Sequence, residues 1–218
     1  DRSGAPFSIN DIVPIANHLT EAGVVAVKAD SPYKTIEELV AAAKEKGNLK
    51  ASTNGNKASN HTAAQLLAKS AGFKYKAIPY GGTADQLLAL RQGEVDFTCA
   101  KVADVAKLVK GDKPELRVLA VFNTKRDPEL PNVPTLGEKG LYPEWYGSAR
   151  ALVAPKGTKP EVIQYYVEAF KKTMQDPAVI EAHKKAGMAL DFKDNKELGD
   201  LIKAQDKFAR DVVNDLYK

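Results

Sequence analysis

The 218 residues contain one cysteine, Cys99, so no disulfide can form within the chain. Its fold must rest on a packed core, in a reducing compartment or in a periplasmic domain that needs no staple. Three histidines, His18, His61 and His183, lie far apart and show no metal-ligand spacing such as HExxH. No GxSxG elbow and no GxxxxGK phosphate loop occurs. No apolar run approaches the about eighteen residues of a membrane span, so no direct membrane insertion is expected. Asp1 to Ala5 is polar, without the basic-then-apolar order of a leader, which decides little because a mature secreted chain would already have lost one.

Charge of one sign is also scarce. The formal net charge is +4, with acids and bases interleaved throughout. The longest basic cluster, Lys107 to Lys113, contains Asp112, so nothing resembles a nucleic-acid tail and no nucleic-acid partner is expected. Cys99 ends an expected strand with no base nearby and reads as a small buried residue. His183, among Glu181, Lys184 and Lys185, reads as a solvated face. These residues predict no catalytic set, no metal site and no cofactor. What is present, 44% hydrophobic and 28% charged residues, suffices for one or two ordinary globular domains.

Short apolar runs alternate with capped amphipathic stretches. Val24 to Val27 reads as a strand, and Thr35 with Glu38 forms a capping box before a helix closed by Gly47. Leu49 to Thr53, Tyr75 to Ile78, Val95 to Cys99 and Leu116 to Val121 read as further strands. Helices are expected at about 61–71, from Thr83 (capped with Gln86) to Gly93, and at 102–109. Such alternation predicts an α/β fold with a parallel sheet covered by helices on both faces. The turn-rich stretch 123–134 predicts a crossing between lobes. Beyond it Thr135 with Glu138 suggests a short helix, and 151–153 and 190–192 suggest strands. Helices are expected from Pro160, from Pro177 and across 196–217.

Ligands of open α/β sheets gather outside the carboxyl ends of the strands, where helix N-termini suit a carboxylate. Three loops qualify: Thr53 to His61 (containing Asn54 and Gly55), Pro79 to Thr83, and Cys99 to Lys101. Their Gly, Asn, Ser and Thr are also ordinary turn and cap residues. Asn60-His61-Thr62 matches a glycosylation acceptor, but helix capping explains Asn60 better. Arg150, in an apolar strand, suits a ligand carboxylate and equally a structural acid.

Matching stretches run in order along nearly the whole chain. They include DIVPIA (11–16), SPYKTIEEL (31–39), the loop 55–61, IPYGGTA (78–84), GEVD (93–96), LPNVPTL (130–136) and APKGT (154–158). In these the chain resembles the extracytoplasmic solute receptors of tripartite tricarboxylate transporters, the Bug-type family. The resemblance implies a type II periplasmic-binding-protein fold, with two parallel-sheet lobes and a cleft. It implies a periplasmic receptor that captures a di- or tricarboxylate or related organic acid and hands it to membrane permease subunits. Carried over residue by residue, it implicates Gly55, Ser59 and His61 with Asn54; Tyr80, Gly82 and Thr83; Ala100; and Ser148 and Arg150 on the opposite lobe.

Lys57-Ala58 replaces the family's Gly-Thr or Gly-Ser, Ala100 an acid, and Ala149 a tryptophan. The family carries roughly eighty to a hundred further residues before Asp1, about half a lobe. The expected lobes are therefore 23–122, and an incomplete first lobe of 1–22 with 123–218. The alternative is the ligand-sensing effector domain of a regulator, which would need a helix-turn-helix that is not visible here.

Overall fold

The computed structural model describes residues 6–188 and 190–217. The polar start, Asp1 to Ala5, lies outside them. The chain divides into two compact units: a central one, Glu21–Ser148, and a terminal one that joins the stretch up to Thr20 to everything from Ala149.

The first strand, β1 (Ile12–Lys28), passes through both units. The central unit continues with α1 (Ile36–Lys46), β2 (Lys50–Thr53), α2 (Ser59–Ala71), β3 (Lys76–Pro79), α3 (Thr83–Gln92), β4 (Phe97–Lys101), the short α4 (Val102–Val105) and β5 (Leu116–Phe122). Its sheet order is β3-β2-β4-β1-β5. β3, β2 and β4 are parallel, whereas β1 runs antiparallel to both β4 and β5. The fold is α/β as expected, but the sheet is mixed rather than purely parallel. β1 arrives from the terminal unit instead of through a helical crossover, and antiparallel pairing needs no crossover.

Local signals explain most boundaries. Thr35 and Glu38 exchange the two bonds of a capping box, and Gly47 closes α1 in the left-handed conformation, φ 67°. Gly72 and Gly93 close α2 and α3 in the same way. Val24, Val25, Ala26 and Val27 are all fully buried, as expected of a strand covered on both faces. Val24 and Ala26 join Leu87, Leu90, Val102, Val105, Val121 and Leu130 in one core.

Segment 123–148 stays with the central unit, so the second crossing falls after Ser148 rather than at 122–123. Its turns are pinned to β5. Pro134 O accepts from the Val121 N–H, Leu136 N–H donates to Val121 O, and Tyr146 N–H donates to Phe122 O. Leu130, Leu136 and Tyr146 are buried. Thr135 Oγ1 accepts from Glu138 N–H at 3.0 Å as a cap would, but only turns follow it.

The terminal unit holds the last part of β6 (Gly147–Pro155), with α5 (Pro160–Met174), α6 (Pro177–Lys185) and α7 (Asn195–Phe208). Ile15 and Ala16 pack against Ile163 and Val167. The expected strand at 190–192 is reduced to one bridge, Asn17 with Lys193. β6 is exposed from Ala149 to Val153, and Val162, Tyr165 and Tyr166 of α5 are exposed as well.

Candidate functional site

The carboxyl ends of β2, β3 and β4 lie side by side in the central unit, and each feeds the chain towards a helix. α2 starts behind Ala58 and α3 behind Gly82, and neither cap residue gives its helix a side-chain hydrogen bond. Both N-termini therefore present first-turn N–H groups and a partial positive charge at this edge, although Asn54 Oδ1 takes the Asn60 N–H of α2 and Asp85 stands in the first turn of α3. α2 has no acidic residue in its first turn to offset that charge.

The β2–α2 loop is shaped by its backbone. Gly55 lies at φ 131° and Lys57 at φ 58°, conformations in which a side chain is strained. Asn54 Oδ1 accepts from Asn60 N–H at 3.3 Å. Lys57 N–H donates to His61 Nδ1 at 2.9 Å, so neutral His61 carries its proton on Nε2. Burial holds the His61 imidazole below its ordinary pKa. Ser59 is the first residue of α2, and its carbonyl accepts from the Tyr146 hydroxyl at 3.2 Å.

The largest polar feature of the site centres on Lys101, the end of the third candidate loop, to which the sequence assigns no role. Lys101, the last residue of β4, is only 4% exposed. Its ammonium donates to Asn60 Oδ1 at 2.6 Å and Ser59 Oγ at 3.2 Å. Asn60 Nδ2 donates to Gln86 Oε1 at 2.9 Å. Gln86 Nε2 then donates to Thr98 Oγ1 and to Cys99 O, at 2.5 and 2.6 Å. Thr98 Oγ1 donates onward to Ser52 O at 2.8 Å. Buried polar groups must be paired in this way, and this chain of bonds ties α2, α3, β2 and β4 together.

The anticipated residues fare unequally. Asn54, Gly55, Ser59, His61, Gly82 and Thr83 all sit on the two loops and helix starts at this edge. Thr83, however, is the first residue of α3 rather than its cap, and Gln86 is a fully buried hub rather than its capping partner. Asn60 likewise serves the network and does not cap α2. Tyr80 commits its N–H to Thr53 O and its hydroxyl to Glu94, at 2.9 and 3.0 Å. Partial burial and the Glu94 carboxylate raise its phenol pKa.

Ala100 is no loop residue. It is fully buried inside β4, pairs with Val24, and its methyl belongs to the core. Ser148 is half-buried in β6 at the end of the central unit. Arg150 is exposed in the terminal unit, where burial first, and then the charges of His183 and Arg150, lower the His18 pKa. Cys99 is fully buried, and burial pushes its thiol up to about 12, so it stays protonated and unreactive. A signal for Gln86 did exist: it shares a helical face with Ala89 and Leu90, and a polar residue on an apolar stripe needs buried partners.

Comparison with known proteins agrees with this architecture. The model of the tripartite tricarboxylate transporter family receptor matches residues 4–216. A Cupriavidus necator protein, described as a UPF0065 protein in the gbd 5' region, is 37% identical over 170 residues, covering 78% of this chain and 50% of its own length. The chain thus spans about half the length of such curated relatives. A solved TctC solute-binding protein from Polaromonas is 27% identical, with a TM-score of 0.83 over 98% of this chain and 73% of its own. An R. palustris protein solved with adipate shares the fold at 21% identity, with a TM-score of 0.80 over 92% of this chain and 68% of its own.

Proposed function

Since the chain belongs to the tripartite tricarboxylate transporter receptor family, we propose that it captures a small di- or tricarboxylate in the periplasm and delivers it to the transporter's membrane permease, without catalysing a reaction. One observation carries the reading. Two helices start at the carboxyl ends of adjacent parallel strands with no capping bond from the residue that precedes them, and the Lys101 ammonium is bonded to the first residue of one of them. Backbone N–H groups at helix N-termini and a fixed ammonium are donors without acceptor capacity, which suits an anion and suits a neutral sugar less well.

In this reading one carboxylate group meets Ser59 and the α2 N-terminus, and a second group meets Gly82 and Thr83 on α3. The R. palustris protein solved with adipate supports the ligand class.

Thermal shift of the purified chain against succinate, malate, adipate and citrate, with acetate and glucose as controls, tests the proposal. A ligand at a hundred times its dissociation constant should stabilise the fold by about 2.7 kcal/mol. Stabilisation by glucose but by none of the acids would refute it.

A further inference from the structure

We propose that Lys101 is the residue that makes this site prefer a charged carboxylate to its neutral amide, and that Gln86, acting through Asn60, is the positioning residue that holds the Lys101 ammonium in place. The inference rests on the receptor reading above and adds to it the origin of charge selectivity.

The direction of the hydrogen bonds carries the inference. Cys99 O can only accept, so Gln86 must turn its Nε2 towards it and its Oε1 towards Asn60. Gln86 Oε1 then requires Asn60 Nδ2, which leaves Asn60 Oδ1 facing Lys101. Neither amide can flip without placing two donors or two acceptors together. The orientation set at the backbone of β4 is thereby relayed to an ammonium on the same strand, through residues of α3 and α2. A lysine is otherwise a point charge on a flexible stem. Here its tip is fixed at both Ser59 and Asn60. Ser59 Oγ accepts from the ammonium, so the Ser59 hydroxyl hydrogen is available to donate to a ligand oxygen. The charge is buried and close to the α2 N-terminus, where water screens it little, so its interaction with an anion is strong.

The test uses the full chain and calorimetric titration with the tightest-binding of succinate, malate, adipate and citrate, beside the corresponding amide. Charged hydrogen bonds are each expected to discriminate by roughly 10- to 100-fold. Lys101→Met should lower the acid-to-amide affinity ratio by about that factor and change amide affinity less than about threefold, and Lys101→Arg should restore most of the ratio. Gln86→Met keeps the lysine but frees the Asn60 amide, and should lower the same ratio by a smaller factor. If Gln86→Met fails to fold, Asn60→Asp serves instead, since its carboxylate pairs with the ammonium and should also lower the ratio. Equal weakening of acid and amide in these variants, or an unchanged ratio, would overturn the inference and leave the receptor reading standing. A wild-type chain that binds none of the acids would overturn both.

Discussion

Helices α1, α6 and α7 are capped by the side chain of the residue that precedes them, and helices α2 and α3 are not. Thr35 caps α1, Asp176 caps α6 and Asp194 caps α7, each through a side-chain oxygen. Ala58 and Gly82 offer α2 and α3 nothing comparable. α5 also lacks a side-chain cap, but Pro160 in its first turn removes a donor instead. Helix caps are cheap to encode, so leaving two of them out on adjacent strands, beside a buried lysine, is the arrangement that the proposed carboxylate site requires. Stability at this edge comes from the Gln86 network behind the helix starts rather than from the starts themselves.

Breaking that network should have the largest effect. Gln86→Leu leaves the buried Asn60 Nδ2 without its acceptor and takes a donor from Thr98 Oγ1 and Cys99 O, and should cost about 2–3 kcal/mol in urea denaturation. Removing a cap that exists comes next: Thr35→Ala and Asp194→Ala should each cost about 1 kcal/mol and leave carboxylate affinity unchanged. Thr83→Ala sharpens the contrast. Thr83 makes no capping bond, so its loss should stay within about 0.5 kcal/mol. Gly82→Asp should move stability and binding in opposite directions. A side chain at Gly82 meets no atom within 4 Å, and Asp is a better cap than Gly by a few tenths of a kcal/mol, while its carboxylate would repel the ligand.

The pH response has a definite sign. Burial lowers the folded-state pKa of His61 below its ordinary 6.5. Its contribution to stability is therefore complete above pH 6.5 and is lost as the pH falls through the depressed folded value. His61→Gln should flatten the denaturation midpoint between pH 7.5 and 5.5 relative to the parent chain.

How much of this was legible in the sequence depended on range. The Thr35 box, the Asp176-Pro177 start and the glycine stops were readable because each acts within one turn. The direction of β1 was not, because antiparallel entry between β4 and β5 is a property of distant partners. Thr83 with Gln86 shows why local reading misleads: the same Thr-x-x-Gln spacing serves a capping box or a buried hub, and only the strands behind α3 decide. Lys101 stands in the third candidate loop, but its burial and its partners are illegible for a similar reason. A lysine ending a strand normally reads as solvated, and nothing local announces that Ser59 and Asn60 wait for it forty residues earlier. The second crossing was misplaced because turn-rich 123–134 reads like a linker, although its backbone is pinned to β5.

The most direct test is amide chemical-shift mapping of the chain titrated with adipate. The proposed site predicts the largest shifts at Ser59, His61, Gly82 and Thr83, with the capped starts at 36–38 and 195–197 unmoved and the response lost in Gly82→Asp. Shifts of equal size at the capped helices, or an undiminished response in well-folded Gly82→Asp, would contradict it.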